Sequence, residues 1–295
     1  MKRKSLLDKI GNTPLFALKN IRLKKDVYVY AKFEGMNPGG SVKDRPAIFM
    51  TEQAEKRGDL CKGKTILEAS SGNMGISLAM IGALKSYPVQ IVMSEGMSVE
   101  RRKIMETLGA EIVLTDSSTG TMGAIKKAKV LQQENPDKYW FVNQFSNPDN
   151  LKAHYHGLGK ELVKEIPDID VVVAGTGTSG TLMGTAIRFS EAGLPAKMVA
   201  AIPPPSYVIQ GIQNPNADFM PGVYDVGLLS QEVHVTRDEA VYWCKMLASK
   251  EGLFTGLSSG AAMAAAEKVS DGMDKGKMLV VLPDRGERYL STGIY

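Results

Sequence analysis

"DVVVAGTGTSGTLMGTAIRF" (residues 170–189) changes period twice, and those changes decide the fold. "VVVA" is a short run of β-branched and small apolar residues, the pattern of a strand buried on both faces. "GTGTSGT" (175–181) then breaks it with glycines, and "LMGTAIRF" spaces its apolar residues as a helix does. A strand that turns through a glycine-rich loop into a helix is the unit of parallel α/β sheets, whose ligands collect at the carboxyl ends of strands. In such a loop the amides and the helix N-terminus point at an anion, and the Thr and Ser hydroxyls add donors. A phosphate is the natural guest.

The same alternation extends in both directions. "VYVYAKFE" (27–34), "TILEAS" (65–70), "VQIVMS" (89–94), "EIVLTD" (111–116), "YWFVNQF" (139–145), "KMVAAIP" (197–203) and "MLVVLPD" (278–284) read as strands. Helical spacing marks residues 44–58, 74–86, 99–109, 122–135 and 238–252. The expected class is therefore α/β, with mostly parallel sheets flanked by helices. A chain of 295 residues is at the length where single cores stop growing. The turn-rich "SNPDN" (146–150) divides it into a domain of residues 1–147 and one of 148–295.

Composition removes several function classes. Net charge is +4 and no dense basic tract is present, which argues against a nucleic-acid surface. No apolar run is long enough to span a bilayer, and the N-terminus lacks the apolar core of a secretory signal. Cys61 and Cys244 match no metal-ligand spacing, and so few thiols indicate a reducing compartment, the cytoplasm. His154 and His156, two apart, would diverge on a helix, so no metal site is expected.

Gly175, Gly177 and Gly180 also satisfy G-x-G-x-x-G. A dinucleotide site would need an acid at the end of the next strand, where Ile202 and Pro203 stand, and no Walker lysine is present. A smaller phosphate ester fits better. Two further loops lie between strand and helix patterns. "ASSGNMG" (69–75) offers amides and the Ser70 and Ser71 hydroxyls to a carboxylate, with an ordinary serine N-cap as the bland alternative. "GLSSGAA" (256–262) carries Ser258 and Ser259 into a helix of small residues, where a cap is again the default. "NPGGSVKDRP" (37–46) puts Lys43 at a helix start, the end at which the dipole disfavours a cation. A phosphate cradle, a carboxylate nest and one lysine on a helix start suit pyridoxal phosphate.

"NPGGSVKDRP", "SSGNMG", "GTSGT" and "GLSSGA", in that order, resemble the cysteine synthase (O-acetylserine sulfhydrylase) family, which shares fold type II with cystathionine β-synthase. The resemblance runs from "IGNTPL" (10–15) to "DRGERYLSTGIY" (284–295), and "SVERR" (98–102) with "RYLSTG" is most similar to the B type. It implies the two-domain, tryptophan synthase β-like fold, with the active site between the domains. About the first 35 residues are then expected to pack on the C-terminal domain.

By this resemblance Lys43 is the Schiff-base lysine, which also takes and returns the Cα proton. Asn73 meets the ring oxygen of the cofactor, and Gly177, Thr178, Ser179, Gly180 and Thr181 hold its phosphate. Ser258 faces the pyridine nitrogen. Ser70, Ser71, Gly72, Met74 and Gln144 lie on the substrate side, with Ser70, Ser71 and Gln144 at its α-carboxylate. The implied reaction replaces the acetyl group of O-acetyl-L-serine by sulfide through an aminoacrylate. A homodimer is implied by the family, which also allows a complex with serine acetyltransferase; the residues themselves reveal neither.

This chain departs from the family at several points. Ser70 and Met74 stand where Thr is usual, and Ser179 replaces a common glycine, which a negative φ would make tolerable. No Arg or Lys lies between Pro203 and Tyr224, where members that use O-phosphoserine carry an arginine; Gln213 stands near that place. Pro283 occupies the position of a cysteine in members that accept thiosulfate. Asp218, in a cystathionine β-synthase-like "DFMP", is either a catalytic carboxyl near the β-carbon or an Asx turn. The first choice opens an alternative, a lyase or β-replacing enzyme that acts on cysteine or serine and releases hydrogen sulfide. A cofactor-free binding protein is the reading from another class, and Lys43, Asn73 and Ser258 together speak against it.

Overall fold

The computed structural model describes residues 5–205, 209–215 and 220–295. The first half runs β1 (Leu15–Ala17), β2 (Val27–Phe33), α1 (Asp44–Arg57), β3 (Thr65–Ala69) and α2 (Asn73–Lys85). It continues with β4 (Val89–Ser94), α3 (Val99–Thr107), β5 (Glu111–Thr115), α4 (Gly120–Glu134) and β6 (Tyr139–Phe141). Then come α5 (Pro148–His154), α6 (Lys160–Glu165), β7 (Val171–Gly175), α7 (Gly180–Glu191) and β8 (Lys197–Ile202). The chain closes with β9 (Gln231–His234), α8 (Arg237–Glu251), α9 (Leu257–Ser270) and β10 (Gly276–Leu282). Among the described residues no helix is long and apolar enough to cross a membrane.

The strands form a six-stranded sheet, ordered β1-β2-β10-β7-β8-β9, and a four-stranded sheet, ordered β5-β4-β3-β6. Every pairing is parallel except β1 with β2. Successive residues of a strand point to opposite faces, so an all-apolar strand needs cover on both sides. In β7, Val171 and Val173 join the cluster under α8 and α9, while Val172 and Ala174 join the one under α6 and α7. In β3, Ile66 packs toward α1 and α2, and Leu67 and Ala69 pack toward α4. This is the expected α/β class. β1 and β9 escape a sequence pattern because they are only three and four residues long. β6 ends earlier than "YWFVNQF" implies, since Asn143 takes φ +52 and turns the chain out of the sheet before Gln144.

A buried charge network joins β2 and α1 to α6. Arg45 pairs with Glu34 at 2.6 Å and with Glu161 at 2.6 Å, and fully buried Lys32 pairs with Glu161 at 3.0 Å and Glu165 at 2.8 Å. Thr13 donates to Glu34 at 2.6 Å. Arg45 is two residues beyond Lys43, so the network anchors the start of α1 against the other sheet's helices.

Candidate active site

The turn before α1 is built by contacts that need glycine. A side chain on Gly39 would put its first carbon 2.4 Å from Asp44 Oδ1, and Gly40 has φ +78. Val42 N donates to Pro283 O at 2.8 Å, and Ser41 forms a bridge with Asp284, which stitches the turn to the end of β10. Pro46 follows in the first helical turn, where its missing N–H costs nothing. Lys43 thus becomes the cap residue of α1, half-buried, and it lines a cavity between the two sheets. Its amine makes no hydrogen bond or ion pair among the described residues. Burial lowers it from the ordinary lysine value to about 8, against an opposing pull from the Asp284 carboxylate.

Across the cavity, Ser70 Oγ accepts from Gly72 N at 3.1 Å and Gly75 N at 3.0 Å. Capping therefore uses its lone pairs but leaves its O–H as a donor. Ser71 is exposed at the rim, and Met74 is buried in the wall. Gly72 is required by Arg101, whose Cδ would lie 2.1 Å from a first side-chain carbon there. Asn73 donates to Asp284 Oδ2 at 2.7 Å and accepts from Arg288 Nη1 at 2.6 Å. Its second N–H is left for the cavity. Gln144 is buried, and its Nε2 donates to Glu68 Oε1 at 3.0 Å and to Ala69 O at 3.2 Å.

The 175–181 loop closes the third side. Ser179 has φ +67, so the negative angle that would make a serine easily tolerable at this place is not met. The left-handed residue turns successive N–H groups toward one point, which is the geometry of an anion nest. Its hydroxyl is buried and has no hydrogen-bond partner among the described residues. Gly177 lies so close to Gly211 that a side chain's first carbon would be 2.9 Å from its carbonyl oxygen, and at Gly180 the same atom would be 2.4 Å from Asn150 Oδ1. Asn150 Nδ2 donates to Thr178 Oγ1 at 3.0 Å, and Thr181 Oγ1 lies 3.3 Å from His154 Nε2. Burial, with the charges of Lys43 and Arg45, pushes His154 well below its ordinary value, so its ring is neutral. Ser258, in the first turn of α9, is buried in the remaining wall.

Four helix N-termini thus converge on one cavity: Lys43 on α1, Asn73 on α2, Ser179 on α7 and Ser258 on α9. Each brings partial positive charge, so the cavity attracts anions while it lowers the amine of Lys43. A free amine, an orphaned buried hydroxyl and a glycine cradle that side chains would fill suit a phosphorylated aldehyde such as pyridoxal phosphate. Thr178, Thr181, Ser70, Ser71, Met74 and Gln144 line the same cavity, while Gly72 and Gly180 shape its loops. Asp218 lies outside the described residues.

Several side chains at the site carried no sequence signal of their own. Arg101 lies buried in the wall, bonded to Gln210 Oε1 at 2.8 Å and stacked over Tyr289 at 4.4 Å. Asp284, Arg288, Asn150 and Glu68 act on Asn73, Thr178 and Gln144 from residues remote in the chain. His154 drew notice only as a possible metal ligand.

A sequence family described as pyridoxal-phosphate dependent enzyme matches residues 6–284. A cysteine synthase from Aquifex aeolicus is 40% identical over 302 residues, covering 99% of this chain and 92% of that protein. A cysteine synthase B from Pseudomonas aeruginosa is 38% identical, covering 99% and 97%. Among solved structures, a hydrogen sulfide-producing enzyme from Fusobacterium nucleatum superposes with a TM-score of 0.93 at 40% identity, covering 98% of this chain and 100% of that one.

Proposed function

The chain belongs to the pyridoxal-phosphate dependent enzymes, within the cysteine synthase family, and on that premise we propose that it makes L-cysteine from O-acetyl-L-serine and sulfide. The observation that carries this reading is the Lys43 amine, without a partner among the described residues, in a cavity faced by four helix N-termini. Lys43 would carry the cofactor, Ser179 and the 177–181 loop would hold its phosphate, Asn73 its ring oxygen and Ser258 its pyridine nitrogen. When bound, the cofactor supplies an electron sink for the bond broken at Cα.

The remaining chemistry falls to the chain. Ser70 and Ser71 donate to the α-carboxylate, Gln144 joins them by transferring to it the N–H that Ala69 O holds at 3.2 Å, and this orients the Cα–H bond toward Lys43. Lys43 Nζ, released from the cofactor when the substrate's amine takes its place, would accept the Cα proton; acetate leaves Cβ with its bonding electron pair. Hydrosulfide then adds to Cβ, and the Lys43 ammonium returns a proton to Cα. An amine lowered toward neutrality is suited to both transfers. Ser258 presents a neutral hydroxyl rather than a carboxylate, which limits ring protonation and favours β-elimination over transamination.

The two domains are taken to divide near residue 147, and the enzyme is taken to act as a cytoplasmic homodimer. Family resemblance supports the dimer and allows a complex with serine acetyltransferase. A second reading, hydrogen sulfide release from cysteine, is favoured by the Fusobacterium neighbour and by Asp218 in "DFMP". The deciding experiment offers the enzyme O-acetylserine with sulfide, cysteine alone, and serine with a thiol, and identifies products by mass spectrometry. Fastest cysteine formation is expected; cysteine breakdown that outpaces synthesis would reverse the order.

A further inference from the structure

We propose that Glu68 is a positioning residue for the substrate's α-carboxylate: it holds Gln144 as a neutral acid, and its ionisation weakens carboxylate binding. This rests on the cysteine synthase reading for the ligand and on geometry for the rest. Glu68 lies within β3, fully buried. Its Oε1 accepts from Gln144 Nε2 at 3.0 Å, while Oε2 is buried with no hydrogen-bond partner among the described residues. An ionised carboxylate with an unpaired oxygen in the core is among the costliest states a fold can hold, and the neutral acid is not. Burial accordingly raises the carboxyl to about 8, against hydrogen bonds from Gln144, Asn143 and Ala69 that lower it.

No ion pair reaches Glu68 among the described residues. β4 has no titratable side chain, and Tyr139 of β6 packs into the cluster on the opposite face, as does α4. On α1, Asp44 is held by Ser77 and Arg45 by Glu34 and Glu161. Lys85, the one charged residue of α2, pairs with Glu55; Arg101 of α3 reaches Gln210. Asp149 of α5 pairs with Arg57 and Lys152, and Lys43 faces the cavity. Gln144 touches Glu68 at its amide and lines the cavity, so a charge on Glu68 would stand one side chain behind the arriving carboxylate.

The test uses the holoenzyme, with L-alanine, which has no β leaving group, and ethylamine, its carboxylate-free counterpart. Dissociation constants are read from the cofactor's visible absorption at pH 6.5 to 9.5 for wild type and Glu68→Gln. The glutamine keeps a partner for Gln144 but cannot ionise. The alanine-to-ethylamine ratio should rise about tenfold more across this range in wild type than in the variant. Equal pH dependence in the two proteins would overturn the proposal. Independently of any variant, wild type labelled with 13C at the glutamate carboxyls should show one carboxyl still protonated at pH 6.5, and its absence would also overturn it. Alanine binding is readable even if no cysteine is formed, so failure of the functional reading is seen separately.

Discussion

Asn73 Nδ2 and the Tyr289 hydroxyl both donate to Asp284 Oδ2, each at 2.7 Å. With Arg288 donating to Asn73 Oδ1 at 2.6 Å, two partners of opposite charge fix which end of the amide is nitrogen. Asp284 is also the charge that resists the lowering of Lys43. Asp284→Asn should therefore lower the Lys43 midpoint further below about 8. In cofactor-free protein, the rate of recombination with pyridoxal phosphate follows the neutral amine, so its pH profile should move to lower pH. An unmoved profile would deny the coupling.

Lys43→Ala should reduce cysteine formation by on the order of 10³-fold or more, as removal of a proton-transfer group does. It should cost no stability, because the amine it removes is desolvated and has no partner among the described residues. Turnover and thermal unfolding of the same preparation check both halves; a destabilised variant would point to a structural lysine.

Ser179→Gly separates fold from function at the nest. The serine holds φ +67, which costs a side-chain-bearing residue about 1 kcal/mol relative to glycine. Cofactor-free variant should melt no lower than wild type, and calorimetry should show weaker pyridoxal phosphate binding because one phosphate donor is gone. Unchanged affinity would remove Ser179 from the cradle.

Glu161 and Glu68 should show opposite pH dependence. Arg45 and Lys32 hold Glu161 down to about 2 despite its partial burial, so its stabilisation is full above the ordinary carboxyl range and is lost as pH falls toward 2. In urea unfolding, the advantage of wild type over Glu161→Gln should shrink between about pH 5 and 2. Glu68 is raised, so its folded state holds a proton that the unfolded chain has lost. Wild type should lose stability relative to Glu68→Gln as pH rises from about 4.5 to about 8, by at most about 1.4 kcal/mol per unit. A common sign for the two would contradict these assignments.

The sheet-forming runs were legible because β3, β4, β7, β8 and β10 carry apolar residues on both faces, as strands buried on both sides do. The site loops were legible because glycines and hydroxyls cluster between strand and helix. The angle of Ser179 was not legible: sequence reports that a glycine is replaced, while the nest decides that the left-handed turn stays. Asp284, Arg101 and Glu68 were missed for a different reason. Each acts through a contact remote in the chain, as Asp284 does on Asn73, and no local pattern encodes such a pairing.

The position of β10 also sets a timetable for the newborn protein. β2 ends at Phe33 and β10 begins at Gly276, yet β10 is the strand between β2 and β7. During synthesis, β2 and the turn bearing Lys43 leave the ribosome long before the strand that receives them exists. The four-stranded sheet, built from residues 65–141, can close on its own schedule, while the lysine turn waits for Pro283 to bind Val42. Ribosome-bound chains halted before residue 276 should thus have a folded small sheet and no capacity to take up cofactor. Maturation of the active site is coupled to arrival of β10, so stalled or truncated products stay chemically silent.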